Sequence, residues 1–149
     1  MLQNVERAKA LAATWLRKDE DFSTEVYPDP GDGSPRIGYG SACPDGMTEC
    51  DWLTAERMMQ SELEYCAQEV YVYLGPNMVP NFNAHRLAVL YCMVYQMGYN
   101  GLCNFKKFGR AITKKNYEQA ADEMVDSKWH GQTPERCERL ALIFLRGSE

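Results

Sequence analysis

Two acidic residues raise the first chemical question. Glu20 closes a stretch with helical spacing, and Asp29 follows a short strand-like run at the start of a Gly-rich turn. Hydrolysis of a glycosidic bond needs such a pair. One carboxylic acid protonates the leaving oxygen, and the other acts on water or on the sugar carbon from the opposite side. A helix end facing a turn across a strand can set two carboxyls within reach of one bond. The chain has 21 acidic residues, however, and a Glu and an Asp at this spacing are more often two surface charges. Their surroundings have to decide.

The elements that would position the pair are legible. Leu2, Val5, Ala8, Leu11, Ala12, Trp15 and Leu16 recur at three- and four-residue steps, one apolar stripe of a helix that ends in the charged cluster Arg17 to Asp21. Residues 25–50 change texture to Gly, Pro and Asp, the punctuation of tight turns between short strands. Strands are expected near Glu25 to Pro28, near Arg36 to Tyr39, and near Met47. A long helix follows from Leu53 to about Tyr73, with Thr54 as N-cap and Met58, Met59, Leu63, Cys66 and Val70 as its stripe, stopped by Gly75-Pro76. Residues 84–97 are apolar nearly all round, which reads as a buried central helix with Gly98 just past its end. Further helices are expected from Phe105 to Ile112, from Tyr117 to Val125, and after Thr133-Pro134 with Thr133 as N-cap.

This order predicts an α+β, mostly helical protein with two lobes: a small β-hairpin lobe, a long connecting helix and a larger helical lobe. The β-containing lobe spans about 20–60, and the helical lobe spans about 75–149 plus the N-terminal helix, within a single domain over 1–149. A cleft between lobes suits a polymer substrate.

Composition narrows the function classes. At 149 residues, 45% hydrophobic and 25% charged, the chain has the makings of a globular domain. No apolar run reaches the length needed to cross a bilayer, so no stable membrane insertion is expected. The N-terminus lacks a basic segment followed by an apolar core, so no secretory signal is expected. A net charge of −5 argues against nucleic acid as a partner. Lys106, Lys107, Arg110, Lys114 and Lys115 form a local basic run, either a binding patch or a solvated helix face. With two His and no Cys-x-x-Cys among the six Cys, no metal site is expected. Cys66, Cys92, Cys103 and Cys137 read as small buried apolar residues. Cys43 and Cys50 flank a Pro/Gly loop where a disulfide is geometrically easy and would brace a hairpin; free thiols are the alternative.

The stretch DEDFSTEVYPDPGDGSPRIGYGS resembles the signature of the T-even bacteriophage-type lysozymes, a glycoside hydrolase family of endolysins. CMVYQMGYNGLCNF resembles that family's central buried helix and the turn after it, and SKWHGQTPERCERL resembles the opening of its last helix. The three blocks stand in family order. The resemblance implies a peptidoglycan-degrading muramidase that hydrolyses the β-1,4 bond between N-acetylmuramic acid and N-acetylglucosamine and lyses a bacterial host. It implies Glu20 as general acid, Asp29 as the carboxylate that positions or activates water, and Arg136 as the arginine that pairs with the acid. Tyr95, Gln96 and Gln132 match cleft residues that contact the sugar chain. No cofactor is implied. The protein would be a monomer, made in the host cytoplasm and acting in the periplasm or cell wall.

Two positions depart from the family pattern. Arg36 stands where the family places a Thr whose hydroxyl helps hold the attacking water, in a loop one residue longer than usual. Ser41 stands where His is usual. Ser34 offers a hydroxyl from the altered loop. Arg36 has three readings: an ion pair with Asp29 or Glu20, a hydrogen-bonding hold on substrate, or a side chain turned to solvent. It cannot act as a base. A catalytically weakened or inactive lysozyme-fold protein that binds glycan or serves a structural role is therefore the alternative.

Overall fold

The computed structural model describes residues 2–149, and side chains from Gln3 onward. Helix α1 (Leu2–Asp19) buries Ala8, Ala12, Ala13, Trp15 and Leu16, the face its apolar spacing marks. The side chain of Leu2, the first of that stripe, lies outside the described residues.

A three-stranded antiparallel sheet follows, with β1 (Ser23–Pro28), β2 (Pro35–Gly38) and β3 (Ser41–Ala42) in the order β1-β2-β3. Tyr27 pairs with Arg36 and Ser23 with Gly38, with a bulge between the two pairs. The third strand is not near Met47. It lies at Ser41–Ala42, paired with Ile37 and Arg36, and the chain beyond returns to the sheet only as a bridge from Glu49 to Glu25. So short a strand exists through its pairing alone and carries no alternation of its own.

Helix α2 (Trp52–Leu74) runs from the sheet into the helical lobe. Its N-cap is Asp51 rather than Thr54: the Asp51 carboxylate accepts from the Thr54 amide, so Thr54 lies within the first turn. Helix α3 (Ala84–Asn104) buries every residue from Leu87 to Val94. Gly98 does not end it outright. It breaks the helix at φ 79°, ψ 164°, and a second helical segment continues to Asn104. An L-residue resists that backbone, so glycine sets where the bend falls.

Helices α4 (Lys106–Thr113), α5 (Tyr117–Val125), α6 (Lys128–Gln132) and α7 (Pro134–Arg146) complete the helical lobe. The five-residue α6 is too short to show a period in the sequence. Phe82, Phe108, Tyr117 and Phe144 cluster around the foot of α7, with Tyr117 edge to face against Phe82 and Phe144 and Phe108 tilted against Phe144, and Arg86 lies 3.7 Å over the Tyr117 ring. The same Arg86 donates to the Phe144 and Leu145 carbonyls at the end of α7. One continuous buried cluster joins this region through α3 and α1 to Ile37 and Tyr39 of the sheet lobe. Both lobes are thereby held around the cleft between them.

The cysteines need two corrections, at the Cys43–Cys50 loop and at Cys103. Cys43 and Cys50 form no disulfide. Each thiol turns to a nearby carbonyl instead, Cys43 to Pro44 and Met47 and Cys50 to Asp51, and all six cysteines are free. Cys66, Cys92 and Cys137 are buried, whereas Cys103 is partly exposed where α3 ends. No helix is long and apolar enough to cross a membrane, and no cluster of metal-ligating side chains occurs among the described residues.

Candidate active site

A cleft of about 500 Å³ opens between the lobes, lined by Glu20, Asp29, Arg36, Tyr95, Gln96, Gln132 and Arg136 together with Pro30, Gly31, Gly40 and Thr133. Ser34 is not among its lining residues; its backbone N–H donates to Asp32 Oδ1 within the hairpin loop.

Glu20 follows the last turn of α1, its amide still bonded to the Leu16 carbonyl. Its two carboxylate oxygens meet different surroundings. Oε1 accepts from Arg136 Nη1 at 2.8 Å. Oε2 lies against the Gly40 backbone, where a Cβ would stand 2.6 Å away. Gly40 has φ +76°, so its lack of a side chain meets two needs at once: the turn between β2 and β3, and room for the carboxyl. Only 18% of the Glu20 side chain is exposed. This burial pushes the carboxyl above its ordinary range, and the Arg136 guanidinium pulls the other way without reversing the shift.

Arg136 is held in turn by the end of α1. Its Nη2 donates to the Asp19 carbonyl at 2.6 Å, and its Nε lies 3.7 Å from Asp19 Oδ2. Arg139, one turn along α7, donates to the Asp19 carboxylate at 2.6 Å. Two arginines of α7 thus grip the last turn of α1 and orient the acid that follows it.

Asp29 follows β1 at the start of the β1–β2 hairpin loop. Its amide donates to the Ser34 carbonyl and its carbonyl accepts from Gly33, which closes the loop. Its Oδ1 accepts from the amides of Gly31, at 2.7 Å, and Asp32, at 3.3 Å. Its Oδ2 accepts from Arg36 Nε at 3.2 Å. Of the three readings of Arg36, the structure has the ion pair with Asp29.

On the helical side, Tyr95 donates its hydroxyl to the Tyr39 carbonyl at 2.7 Å, linking α3 to the turn that carries Gly40. Gln96 spends both ends of its amide on protein: Nε2 donates to Thr133 Oγ1, and Oε1 accepts from Trp129 Nε1. Thr133 is the N-cap residue of α7, as the sequence suggested, but its side chain makes no capping hydrogen bond. Its hydroxyl is engaged by Gln96 instead. Trp129 and Glu62 were not singled out from sequence. The half-buried Glu62 of α2 lies beside the fully buried Ser41 and near Tyr95, and burial raises its carboxyl above the ordinary range. Nothing in the pattern of α2 marks Glu62 apart from the other acids of that helix, because Ser41 and Tyr95 come from distant segments.

An α+β architecture with a small sheet lobe, a long connecting helix and a helical lobe around such a cleft is lysozyme-like. The chain is 37% identical over 68 residues to the probable T4-type lysozyme 2 of Dictyostelium discoideum, covering 46% of this chain and 40% of that protein. It is 36% identical over 66 residues to the probable T4-type lysozyme 1 of the same organism, covering 44% and 38%. The matches thus span about two fifths of the length of these relatives, and they support the T4-type lysozyme family. No family model matches the chain.

Proposed function

We propose that this protein is a muramidase, cutting the β-1,4 bond between N-acetylmuramic acid and N-acetylglucosamine in peptidoglycan. The observation that carries the reading is the unequal treatment of two carboxyls on one cleft. Glu20 is buried and pushed toward its protonated form. Asp29 presents Oδ2 from the start of a hairpin loop that fixes Oδ1. A group that keeps its proton can donate it to the leaving oxygen, and a second carboxyl on the same cleft can act on the attacking water. Arg136 positions Glu20, while Gln132 and Tyr95 offer an amide and an aromatic face to sugar. The names of the two relatives agree with the substrate class.

The resemblance noted in the sequence extends this reading to an endolysin that acts as a monomer on the wall of a bacterial host. Both relatives come from Dictyostelium discoideum rather than from a phage, so the phage setting rests on that resemblance alone. A second reading, a glycan binder that does not cut, is favoured by one observation: Asp29 Oδ2 is occupied by Arg36.

Digestion of purified peptidoglycan, scored by new reducing ends, separates the two. Wild type should release muropeptides, and Glu20→Gln should release at least a hundred-fold less while keeping the fold, in line with loss of a general acid. Wall binding without reducing ends from either protein would leave the binder.

A further inference from the structure

Arg36 occupies the cleft in an unusual way. It is half-buried, and one of its five N–H groups, Nε, is spent on Asp29 Oδ2 at 3.2 Å. Its two Nη atoms form no hydrogen bond with the described residues, although the side chain lines the cleft. The other guanidinium there, Arg136, directs Nη1 to Glu20 and Nη2 to the Asp19 carbonyl, so both ends of its fork are engaged. The cleft therefore holds one spare planar fork, whose donor geometry matches a carboxylate in two parallel bonds. Asp29, for its part, does not depend on Arg36 for its position, because the Gly31 and Asp32 amides hold Oδ1.

Given the muramidase reading, on which this inference rests, we propose that Arg36 is a specificity-determining residue. Its Nη fork binds a carboxylate carried by the glycan strand, and that binding draws the guanidinium off Asp29. The exchange frees Oδ2 to face water while Oδ1 stays fixed by the loop. An occupied strand thus unmasks the base that the empty cleft keeps paired. Two carboxylates on a peptidoglycan strand fit this chemistry: the lactyl group of a muramic acid that has lost its peptide, and the free carboxyls of an intact stem peptide. An uncharged strand leaves Asp29 paired. The steric need is modest, since Arg36 sits on the central strand β2, its backbone held between Tyr27 of β1 and Ala42 of β3, and only its side chain has to turn.

Three ligands separate the sources: strands with intact stem peptides, strands stripped by an amidase to expose lactyl carboxylates, and stripped strands whose carboxylates have been converted to carboxamides. Binding is measured calorimetrically on the Glu20→Gln protein, so the result does not depend on cleavage. Reducing ends are measured separately on wild type. At least one carboxylate strand should bind about ten-fold or more tightly than the carboxamide strand, the scale of a charge-assisted pair. Preference for the stripped strand assigns the lactyl group, and preference for the intact strand assigns the stem peptide. Glu20→Gln/Arg36→Gln should bind all three alike, and Glu20→Gln/Arg36→Lys should recover part of the preference. Equal binding of carboxylate and carboxamide strands by Glu20→Gln overturns the proposal, as does failure to bind any of them. A preference that survives Arg36→Gln does the same. Absence of reducing ends from wild type, with the carboxylate preference intact, sinks the muramidase reading and leaves the anion site standing.

Discussion

At the scale of single residues, the site turns on how burial and charge divide two similar side chains. Glu20 carries a guanidinium 2.8 Å away and yet holds its proton more tightly than an ordinary glutamate, because loss of water outweighs the cation. Two consequences follow with defined signs. Activity should fall as pH rises through the Glu20 value, since the acid must be protonated; Arg136→Met removes the opposing cation and should move that limb to higher pH while lowering the rate. Stability should respond too. A carboxyl whose folded value is raised makes no difference below its unfolded value. It then costs stability progressively as pH rises through the window up to the folded value. Glu20→Gln should therefore melt no lower than wild type at pH 3 and higher at pH 7, measured by thermal unfolding at both. Individual residues were legible in the sequence only in part. Glu20 and Asp29 stood out by position as one possible pair among many acids, but their roles, together with Arg136 and the cleft amides, came through a resemblance. Ser34, offered for its hydroxyl, stays out of the cleft lining, and Glu62 passed unnoticed among the acids of its helix.

Secondary-structure elements show where local signals suffice. The helix from Tyr117 to Val125 has the bounds its periodicity suggests, and α1 buries the expected stripe. What sequence misplaced was decided by contacts between distant segments. The third strand is defined by its pairing with Ile37 and Arg36, and the Thr133 side chain is claimed by Gln96 of α3. The start of α2 moved for a local reason, since Asp51 and Thr54 compete for one cap and the carboxylate prevails. Two substitutions separate positioning from scaffolding at this scale. Asp51→Ala removes a cap far from the cleft and should cost about 1 kcal/mol of stability with an unchanged rate. Gly40→Ala places a Cβ 2.6 Å from Glu20 Oε2 on a backbone of φ +76°. It should cost about 1–2 kcal/mol and also depress the rate steeply, because the acid must move. Thermal melts paired with reducing-end assays distinguish the two; equal rate losses in both variants would remove Gly40 from its positioning role.

For the whole molecule, stability comes from a continuous core rather than from covalent bracing. All six thiols are free, and Cys43 and Cys50 bond to nearby carbonyls in a loop whose ends already meet the sheet. Titration of the denatured, unreduced protein should find six thiols, and reductant should leave the melting temperature unchanged. A disulfide would instead contribute about 2–4 kcal/mol that reductant removes. The grip of α7 on the end of α1 also has a temporal meaning. Glu20 and Arg136 lie 116 positions apart, and Asp19 and Arg139 lie 120 apart. A chain still emerging from the ribosome has made its acid long before it has made the partner that orients it. In that interval Glu20 is a solvated carboxylate with an everyday affinity for protons. The assembly of the cleft is therefore dated by translation: it is complete only when α7 has arrived and docked, and a nascent chain cut short before Arg136 lacks the partner that orients Glu20 however well its first lobe folds.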